Sequence, residues 1–414
     1  MVTHNKGSLR QDKFKFGVWS EKIMLSWGQA VLTQKEYDAY GGICQRAWVE
    51  IDLAAIAHNV QQLKSLLSPR TELLAVVKAD AYGHGAVTVA RTVLQSGAGW
   101  LGVATVPEGI EIREAGIKAP ILILGAVHTP DQIGAIARWQ LQPTICTPQQ
   151  ALMFSEILAT IPDRHPLPVH IKFDTGMSRL GLSWQQAVEF VQLVQQLPNL
   201  EIKSIYSHLA TAESLDRTVM RQQQARFEAA IAQIEAAGIA LPLLHLANSA
   251  ATLTDQTLHY DLVRVGLAIY GLYPAAHLKN VTLKPALQVK ARVTQVKKIP
   301  PQTGVSYGHT FVSKRELYLA VVGIGYADGV PRSLSNQTTA LIRGQRVPQI
   351  GTITMDQLML DASAIADLEV GEVVTLLGHE GSQQISADDW AKQAGTISWE
   401  ILCGFKHRLP RVKA

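Results

Sequence analysis

Between residues 46 and 274, short apolar runs alternate with segments whose apolar side chains recur every three or four residues. The runs lack the apolar–polar alternation of half-exposed strands, so they indicate strands buried on both faces. The intervening segments have the periodicity of amphipathic helices. The predicted strands span residues 73–77, 100–104, 121–124, 142–145, 169–173, 202–206, 243–246 and 262–265. Eight such βα units over roughly 230 residues predict a (β/α)8 TIM barrel of the α/β class.

After Pro274 the pattern changes to strand-like segments separated by Gly and Pro turns, which indicates a second, mostly β domain. Helical periodicity is confined there to residues 387–394. We therefore predict a barrel over residues 46–280 and a β-rich C-terminal domain over residues 281–414. A doubly wound open sheet is the alternative to the barrel, but the sequence has no Gly-rich dinucleotide turn. The predicted β-domain strands span residues 293–299, 317–324, 339–342, 357–360 and 370–377.

Residues 1–45 are polar and aperiodic, and we predict that they form a weakly ordered extension. Of the 414 residues 47% are hydrophobic, which is ample for two buried cores. The net charge of +4 is spread without a long Lys/Arg run, so nucleic acid is not an expected partner. No apolar run has the length of a membrane span. The scattered Cys44, Cys146 and Cys403 show no zinc-binding spacing and fit a reduced, cytoplasmic compartment.

Polar residues follow five of the predicted barrel strands. Because catalytic groups of such barrels lie at the carboxyl ends of the strands, we expect these side chains to meet at one mouth. In strand order they are Lys78; Lys172, Asp174 and Arg179; Ser207 and His208; His245, Asn248 and Ser249; and Arg264 and Gly266.

Lys78 is the most informative of these residues, because it directly ends an apolar strand. Desolvation at such a position favours the uncharged, nucleophilic amine that a Schiff base requires. The alternative is a lysine whose ammonium group extends into solvent, which is the commoner arrangement.

Residues after the seventh and eighth strands are typical of a phosphate site. Asn248 and Ser249 precede a predicted helix, whose first amides favour an anion, although an ordinary helix N-cap explains them as well. Gly266 allows the main chain to approach a ligand closely, and barrel phosphate sites commonly lie after these two strands. Arg264 is compatible with a structural ion pair or with a contact to a pyridine nitrogen. His208 is compatible with a mouth position or with a buried structural role.

In the β-rich segment, Tyr307 precedes Gly308 on a predicted turn, and a tyrosine there is compatible with a general base or with simple packing on a sheet. Met355 lies in a loop that presents main-chain amides to a carboxylate or merely caps a turn.

Taken together, several segments resemble the bacterial alanine racemase family. The resemblance runs from about residue 46 to residue 411 and closes with Arg-Leu-Pro-Arg at 408–411. Its motifs are Val-Lys-Ala-Asp-Ala-Tyr-Gly-His-Gly at 77–85, Phe-Asp-Thr-Gly-Met-Ser-Arg-Leu-Gly at 173–181, His-Leu-Ala-Asn-Ser at 245–249, Arg-Val-Gly at 264–266, Ser-Tyr-Gly at 306–308 and Thr-Met-Asp at 354–356.

The resemblance implies a two-base enzyme that uses pyridoxal 5′-phosphate. Lys78 would form a Schiff base with the cofactor and act as the base toward D-alanine. Tyr307 would be the base toward L-alanine, reaching in from the other subunit of a homodimer. Arg264 would contact the pyridine nitrogen, and His208 would stack beside the ring and link Tyr307 to Arg264. The product, D-alanine, would supply peptidoglycan synthesis.

The resemblance also assigns the remaining groups of the site. The phosphate would be surrounded by Tyr82, Ser249, Gly266, Ile269 and Tyr273, beside the anion seat at Asn248. Arg179 and the main chain of Met355 would hold the substrate carboxylate. Some members have a carbamylated lysine at the place of Lys172, and Trp399 stands where a tyrosine is expected. No metal site is implied.

Elementary chemistry agrees with these assignments, because inverting a stereocentre by proton transfer needs an acid–base group on each face. Arg264, being permanently cationic, cannot readily protonate a pyridine nitrogen, which would suppress transamination. Three alternatives remain: a racemase or other pyridoxal phosphate barrel enzyme of broader specificity, a non-catalytic pyridoxal phosphate carrier, and a metal-dependent barrel hydrolase. Trp399, Met355 and Tyr273 favour a small substrate. A carrier would lack the β domain, and a hydrolase would need His and carboxylate clusters at the strand ends.

Overall fold

The structure is a computed structural model that describes residues 31–32, 46–162 and 165–414. The weakly ordered extension predicted for residues 1–45, which includes Cys44, lies outside the described residues except for Val31–Leu32. Those two residues form a strand parallel to Arg411–Lys413.

Eight parallel strands form the predicted TIM barrel. Seven neighbouring pairs are joined by regular ladders, and two main-chain hydrogen bonds close the ring between the seventh and eighth strands: Asp261 N to Leu244 O and Arg264 N to Ala247 O, both 3.0 Å. A short strand, Leu182–Ser183, pairs with the fifth. The barrel strands are Glu72–Val76, Trp100–Val103, Ile121–Ile123, Gln142–Ile145, Leu167–Asp174, Leu200–Tyr206, Leu243–His245 and Leu262–Val265.

Helices alternate with the strands, and several begin immediately after a strand end because the local sequence caps them. At the fourth one, Thr129 Oγ1 accepts a hydrogen bond from Gln132 N, and Pro130 occupies the first helical position, where its missing N–H costs nothing. The barrel helices are Leu53–Lys64, Ala86–Gln95, Val106–Glu114, Pro130–Arg138, Pro148–Ala159, Ala187–Gln195, Thr218–Ala236 and Ser249–Thr254.

The first barrel strand ends two residues before Lys78 and brings it to the mouth of the barrel. Leu73 and Ala75 belong to the main core cluster, whereas Leu74 and Val76 belong to a smaller cluster of buried residues from several strands. Val76 and Lys78 both line the cavity at this end of the strand, although the strand itself ends at Val76.

The C-terminal domain contributes eight strands to a ten-stranded sheet, which Val31–Leu32 and Ala47–Ile51 complete, and it has two short helices. Its longest strand, Leu287–Ile299, is central and pairs with three others. The remaining strands are Gly304–Val305, Phe311–Val312, Leu317–Val322, Thr339–Ile342, Gln345–Pro348, Leu358–Asp361, Val373–Glu380, Gln383–Ile385 and Arg411–Lys413, of which the first two form a separate hairpin. The helices are Ala387–Ala394 and Ser398–Gly404. Single 3-10 turns occur at Trp184–Gln186, Gln256–Leu258, Leu267–Tyr270, Tyr307–His309, Tyr326–Asp328 and Arg332–Leu334.

Two expectations about these elements are wrong. The strand Ala47–Ile51 lies in the segment predicted for the barrel, but it pairs with Leu287–Ile299 and Arg411–Lys413 in the β-rich sheet. An apolar strand followed by a helix has the same sequence pattern in either place, so only long-range pairing decides. Helical structure is also not confined to residues 387–394, because Ser398–Gly404 forms a second helix that packs on the segment after Lys78. The domain boundary at residue 280 stays a prediction.

Within the described part of the chain, no helix is both long enough and apolar enough to cross a membrane.

Candidate active site

A cavity of about 430 Å³ opens at the carboxyl ends of the barrel strands. Eight of the twelve predicted site residues line it, from the ends of the first, fifth, sixth, seventh and eighth strands, and Trp399 joins them from the C-terminal domain. The eight are Lys78, Tyr82, Arg179, His208, Asn248, Ser249, Arg264 and Gly266.

Lys78 begins an unusual left-handed turn, Lys78–Gly83, which we call the lysine turn. Four consecutive non-glycine residues, Ala79 to Tyr82, have φ between 52° and 55°. A left-handed conformation costs roughly 1–2 kcal/mol for each residue with a Cβ, so surrounding contacts must stabilise the turn. His84 is fully buried, and its Nδ1 lies 2.9 Å from Ala81 O and 3.0 Å from Tyr82 O, which places it among these contacts.

The lysine turn brings Tyr82 against Gly266 at the end of the eighth strand. A Cβ at position 266 would lie only 2.5 Å from the Tyr82 hydroxyl oxygen, so a larger residue there would displace the Tyr82 hydroxyl from its present position. Burial raises the pKa of Tyr82 to about 12, which keeps its hydroxyl protonated as a hydrogen-bond donor. Ser249 Oγ lies on the same side and accepts a hydrogen bond from Gly266 N at 3.1 Å. The Tyr82 and Ser249 hydroxyl groups are donors of the kind that suits a phosphate, and the Gly266 amide holds Ser249 in place.

Asn248 fits the simpler of its two interpretations. Its Oδ1 accepts a hydrogen bond from Ala251 N at 3.1 Å, so its side chain is the N-cap of the helix Ser249–Thr254. Asn248 thus starts the helix whose first residue is Ser249, and its predicted cofactor contact stays a prediction.

Arg264 is buried, and its partners are neutral groups. Nη2 donates to Ser207 O at 2.7 Å and Leu246 O at 3.1 Å, and it lies 3.2 Å from His208 Nδ1. Burial lowers the pKa of Arg264 to about 10, so the guanidinium still carries its charge at neutral pH. A carboxylate ion pair, one of the two interpretations of this residue, is not what holds it.

A chain of hydrogen bonds runs from Arg264 down through the barrel. It passes from Arg264 Nη1 to His245 Nδ1 (2.9 Å), Ser204 Oγ (2.7 Å from His245 Nε2), His170 Nδ1 (2.5 Å) and Gln142 Oε1 (2.8 Å from His170 Nε2). Because a guanidinium only donates, every step donates in the same direction and both imidazoles are neutral. Burial agrees, since it lowers the pKa of His170 to about 3 and that of His245 well below its usual value. His170 and Ser204 were not predicted as site residues, because their only signal in the sequence is a polar residue inside an apolar strand.

These buried imidazoles make stability depend on pH. The unfolded histidines bind protons below their ordinary pKa of 6.5, but folded His170 and the fully buried His84, whose pKa is lowered to about 4, do not. The contribution of these neutral histidines to the free energy of unfolding is therefore fully present above pH 6.5. It falls as the pH drops, by up to ~1.4 kcal/mol per pH unit for each histidine. We expect urea unfolding to show this loss between about pH 7 and about pH 5.

The control for this prediction is His170→Asn, which removes one titrating group but leaves an oxygen to accept from Ser204. The slope of its unfolding free energy against pH should be smaller than that of the unsubstituted chain, by the contribution of about one proton taken up on unfolding. An unchanged pH slope would contradict the assigned burial of a neutral imidazole.

The cavity wall concentrates positive charge around one aromatic ring. Lys172 Nζ lies 5.3 Å and the Arg264 guanidinium carbon 5.0 Å from the Tyr206 ring centroid. Burial, together with Arg264 and Arg179, lowers the pKa of Lys172 to about 8. This field favours the phosphate and carboxylate groups of ligands. Carbamylation of Lys172 stays a prediction.

Four predicted site residues lie outside this cavity lining. Ile269 is fully buried, and Leu267 takes the place in the lining next to Gly266. The Tyr273 hydroxyl donates to Val281 O at 2.8 Å and accepts from Leu283 N at 2.9 Å, so its oxygen is engaged within the chain. A 3-10 segment, Leu267–Tyr270, follows Gly266 and contains Ile269, whereas Tyr273 comes three residues after that segment. Their predicted phosphate contacts stay untested.

The other two, Tyr307 and Met355, lie on the C-terminal domain and are 74% and 53% exposed. Tyr307 lines a separate cleft of about 840 Å³. A single chain therefore does not bring Tyr307 into the cavity that Lys78 lines.

Comparison with known proteins matches this architecture along nearly the whole described chain. The family model "Alanine racemase, N-terminal domain" matches residues 51–274, and "Alanine racemase, C-terminal domain" matches residues 286–413. The chain belongs to the alanine racemase family. Membership confirms the family and barrel fold predicted from the sequence, and it confirms the enzyme class and cofactor, because alanine racemases are pyridoxal phosphate-dependent isomerases.

Individual members of the alanine racemase family are similar over their full length. The alanine racemase of Nostoc sp. is 69% identical over 381 residues, covering 92% of this chain and 99% of the relative. That of Synechocystis sp. is 62% identical, covering 89% of this chain and 99% of the relative. The crystal structure of alanine racemase from Bacillus anthracis with bound L-Ala-P has a TM-score of 0.83 at 35% identity, covering 89% of this chain and 95% of that one.

Proposed function

We propose that this chain interconverts L-alanine and D-alanine with pyridoxal 5′-phosphate attached to Lys78. The observation that supports this most directly is the cavity itself, which is lined by Lys78, by the phosphate donors Tyr82 and Ser249, and by Arg264. When bound, the cofactor supplies the electron-withdrawing ring that makes the α-hydrogen of an attached amino acid acidic.

The residues of the cavity fit this cofactor. The Tyr82 and Ser249 hydroxyls and the Gly266 main chain would hold the phosphate, in a recess that a Cβ at position 266 would fill. Arg264 would face the pyridine nitrogen with its charge retained, held there by main-chain carbonyls and by His245. Arg179 would hold the substrate carboxylate, for which the neighbouring positive charges are also suited.

Lys78 and Tyr307 divide the proton transfers between them. Lys78 Nζ would remove the α-proton of D-alanine on one face, and the Tyr307 hydroxyl would return a proton on the other, with the roles reversed for L-alanine. Arg264 supports this outcome because it does not supply a proton to the ring that it faces.

Tyr307 reaches the cavity when a second copy of the chain docks, so the active enzyme is a homodimer with shared sites. Its loop is held firmly enough for that role: Thr352 Oγ1 donates to Tyr307 O at 2.8 Å, and Ser306 Oγ donates to Thr352 O at 2.6 Å. Met355, exposed on the same domain, would present its main chain to the partner's substrate. The D-alanine product would supply peptidoglycan synthesis in the cytoplasm.

Mixed dimers test the shared site. Chains carrying Lys78→Ala and chains carrying Tyr307→Phe should each be inactive alone, yet their mixed dimer contains one site with both bases intact. We expect racemisation to return to about half of the normal rate per dimer, measured after isolating the heterodimer by two affinity tags. An isolated heterodimer without activity would show that both bases act within one chain. Mixing each variant with itself is the matched control.

Cofactor trapping tests the proposed function separately. Borohydride reduction of the purified protein should attach pyridoxal phosphate irreversibly to the peptide that contains Lys78, as read by mass spectrometry. Comparing the rates for L-alanine and L-serine then distinguishes an alanine enzyme from a racemase of broader specificity.

A further inference from the structure

One carboxylate connects the lysine turn to the neighbouring βα unit of the barrel. Glu108 Oε1 accepts a hydrogen bond from Ala79 N at 2.7 Å. Its Oε2 accepts from Ala104 N at 2.7 Å and from Thr105 N at 3.0 Å. Both oxygens are therefore used, one for the residue after Lys78 and the other for the start of the helix Val106–Glu114.

The Ala79 amide needs this acceptor. Amides in the first turn of any helical segment have no partner within that segment, and this one follows directly after Lys78. Ala79 is also the first of the left-handed residues, with φ of 54°, a conformation that alanine adopts only at an energetic cost. Without an acceptor at this point, both the unpaired amide and the strained dihedral would favour relaxation of the chain.

Other contacts hold the far end of the lysine turn. Arg411, which is buried, donates from Nε to Gly83 O at 3.1 Å. Asp80 Oδ1 accepts from Ala86 N at 2.8 Å, which fixes the start of the next helix. Two contacts hold the end that carries Lys78. Before it, Val77 N donates to Gly102 O at 2.8 Å, and after it, Ala79 N donates to Glu108.

We propose that Glu108 is a positioning residue for racemisation. By holding the Ala79 amide it fixes the main chain on the far side of Lys78, and so the direction from which the lysine amine enters the cavity. Glu108 itself does not line the cavity, so it can act on the reaction only through Lys78. This inference therefore rests on the proposed function of Lys78.

Glutamine is the informative substitution because it has the same shape and one oxygen fewer. In Glu108→Gln the amide oxygen accepts either from Ala79 or from the Ala104 and Thr105 amides, and its NH₂ group faces an N–H donor on the other side. Glu114→Gln is the matched control, since Glu114 is exposed at the end of the same helix.

Two measurements on the full chain with bound cofactor read out the role. In Glu108→Gln we expect kcat to fall ~10-fold to 100-fold while KM changes little, because the amine is misplaced but the substrate contacts remain. Hydrogen exchange of the peptide spanning residues 78–86, followed by mass spectrometry, should be faster by a similar factor. Glu114→Gln should match the unsubstituted chain in both.

A second substitution separates the lysine turn from the helix start. Glycine adopts positive φ without a Cβ penalty, so Ala79→Gly lowers the cost of the left-handed turn when Glu108 no longer holds it. Adding Ala79→Gly to Glu108→Gln should therefore recover part of kcat. No recovery would overturn the proposal, because it would mean that Glu108 serves only the helix Val106–Glu114.

Unchanged exchange over residues 78–86 in Glu108→Gln would also overturn it. If the proposed function is wrong, borohydride will trap the cofactor on another lysine of the unsubstituted chain. The hydrogen-exchange measurement does not depend on turnover, so the two failures can be told apart.

Discussion

Replacing Lys78 with alanine should abolish racemisation, lowering kcat by more than about 10⁴-fold. The variant loses two things at once: the amine that attaches the cofactor and the base on one face of the substrate. Lys78 lines the cavity at the start of the lysine turn, and alanine at this position leaves no amine there. An assay that couples D-alanine formation to its oxidation measures the loss.

Lys172 provides the control, because it is the other lysine that lines the cavity. Borohydride should trap the cofactor on Lys78 in a Lys172→Ala variant, and on no lysine in Lys78→Ala. A small amine such as methylamine should restore part of the activity of Lys78→Ala by replacing the missing base. Cofactor trapped on Lys172, with turnover near normal in Lys78→Ala, would mean that the wrong lysine has been assigned.

The barrel could be predicted from the sequence because parallel strands buried on both faces read as continuous apolar runs. The predicted run 142–145 coincides with the strand Gln142–Ile145. The predicted run 169–173 begins two residues after the start of the strand Leu167–Asp174 and ends one residue before its end. Apolar patterning cannot choose between two sheets that are both buried. For that reason the strand Ala47–Ile51, which reads like the start of a βα unit, is found in the other domain.

Most of the predicted residues that line the cavity were predictable because they follow the ends of barrel strands. Lys78 and Arg264 follow from the rule that barrel chemistry lies at the carboxyl ends of strands, together with the family resemblance. His170 and Ser204 lie in the middle of strands, and their role emerges only when five strands align their side chains into one hydrogen-bonded chain. The left-handed conformation of the lysine turn has no local sequence signal, because residues 79–82 include no glycine and the contacts that hold the turn come from Glu108 and Arg411 as well as from His84.

The second base illustrates the limit most clearly. Tyr307 can be recognised from its motif, yet in a single chain it is exposed on the C-terminal domain. Its proposed role depends on contact with a second copy of the chain, and the pattern of apolar and polar residues in one sequence does not predict which surfaces of two copies meet.

Tyr307→Phe should separate the two faces of the reaction. The substitution keeps the ring and deletes the oxygen that exchanges a proton, while Lys78 remains on the opposite face. Steady-state rates cannot show this asymmetry, because the substrates are enantiomers and any substitution lowers kcat/KM equally in both directions. Isotope exchange is not subject to that constraint, since it follows each enantiomer's α-hydrogen separately.

In D₂O, Tyr307→Phe should still exchange the α-hydrogen of D-alanine through Lys78. Exchange into L-alanine should fall by about 10²–10⁴-fold, which corresponds to a barrier increase of roughly 3–5 kcal/mol for losing one positioned acid–base group. Nuclear magnetic resonance of each enantiomer over time measures both rates, and Tyr318→Phe, an exposed tyrosine of the same domain, is the control. Because a single mobile base would serve both faces, equal residual exchange for the two enantiomers would refute the two-base arrangement and leave Lys78 as the one remaining base.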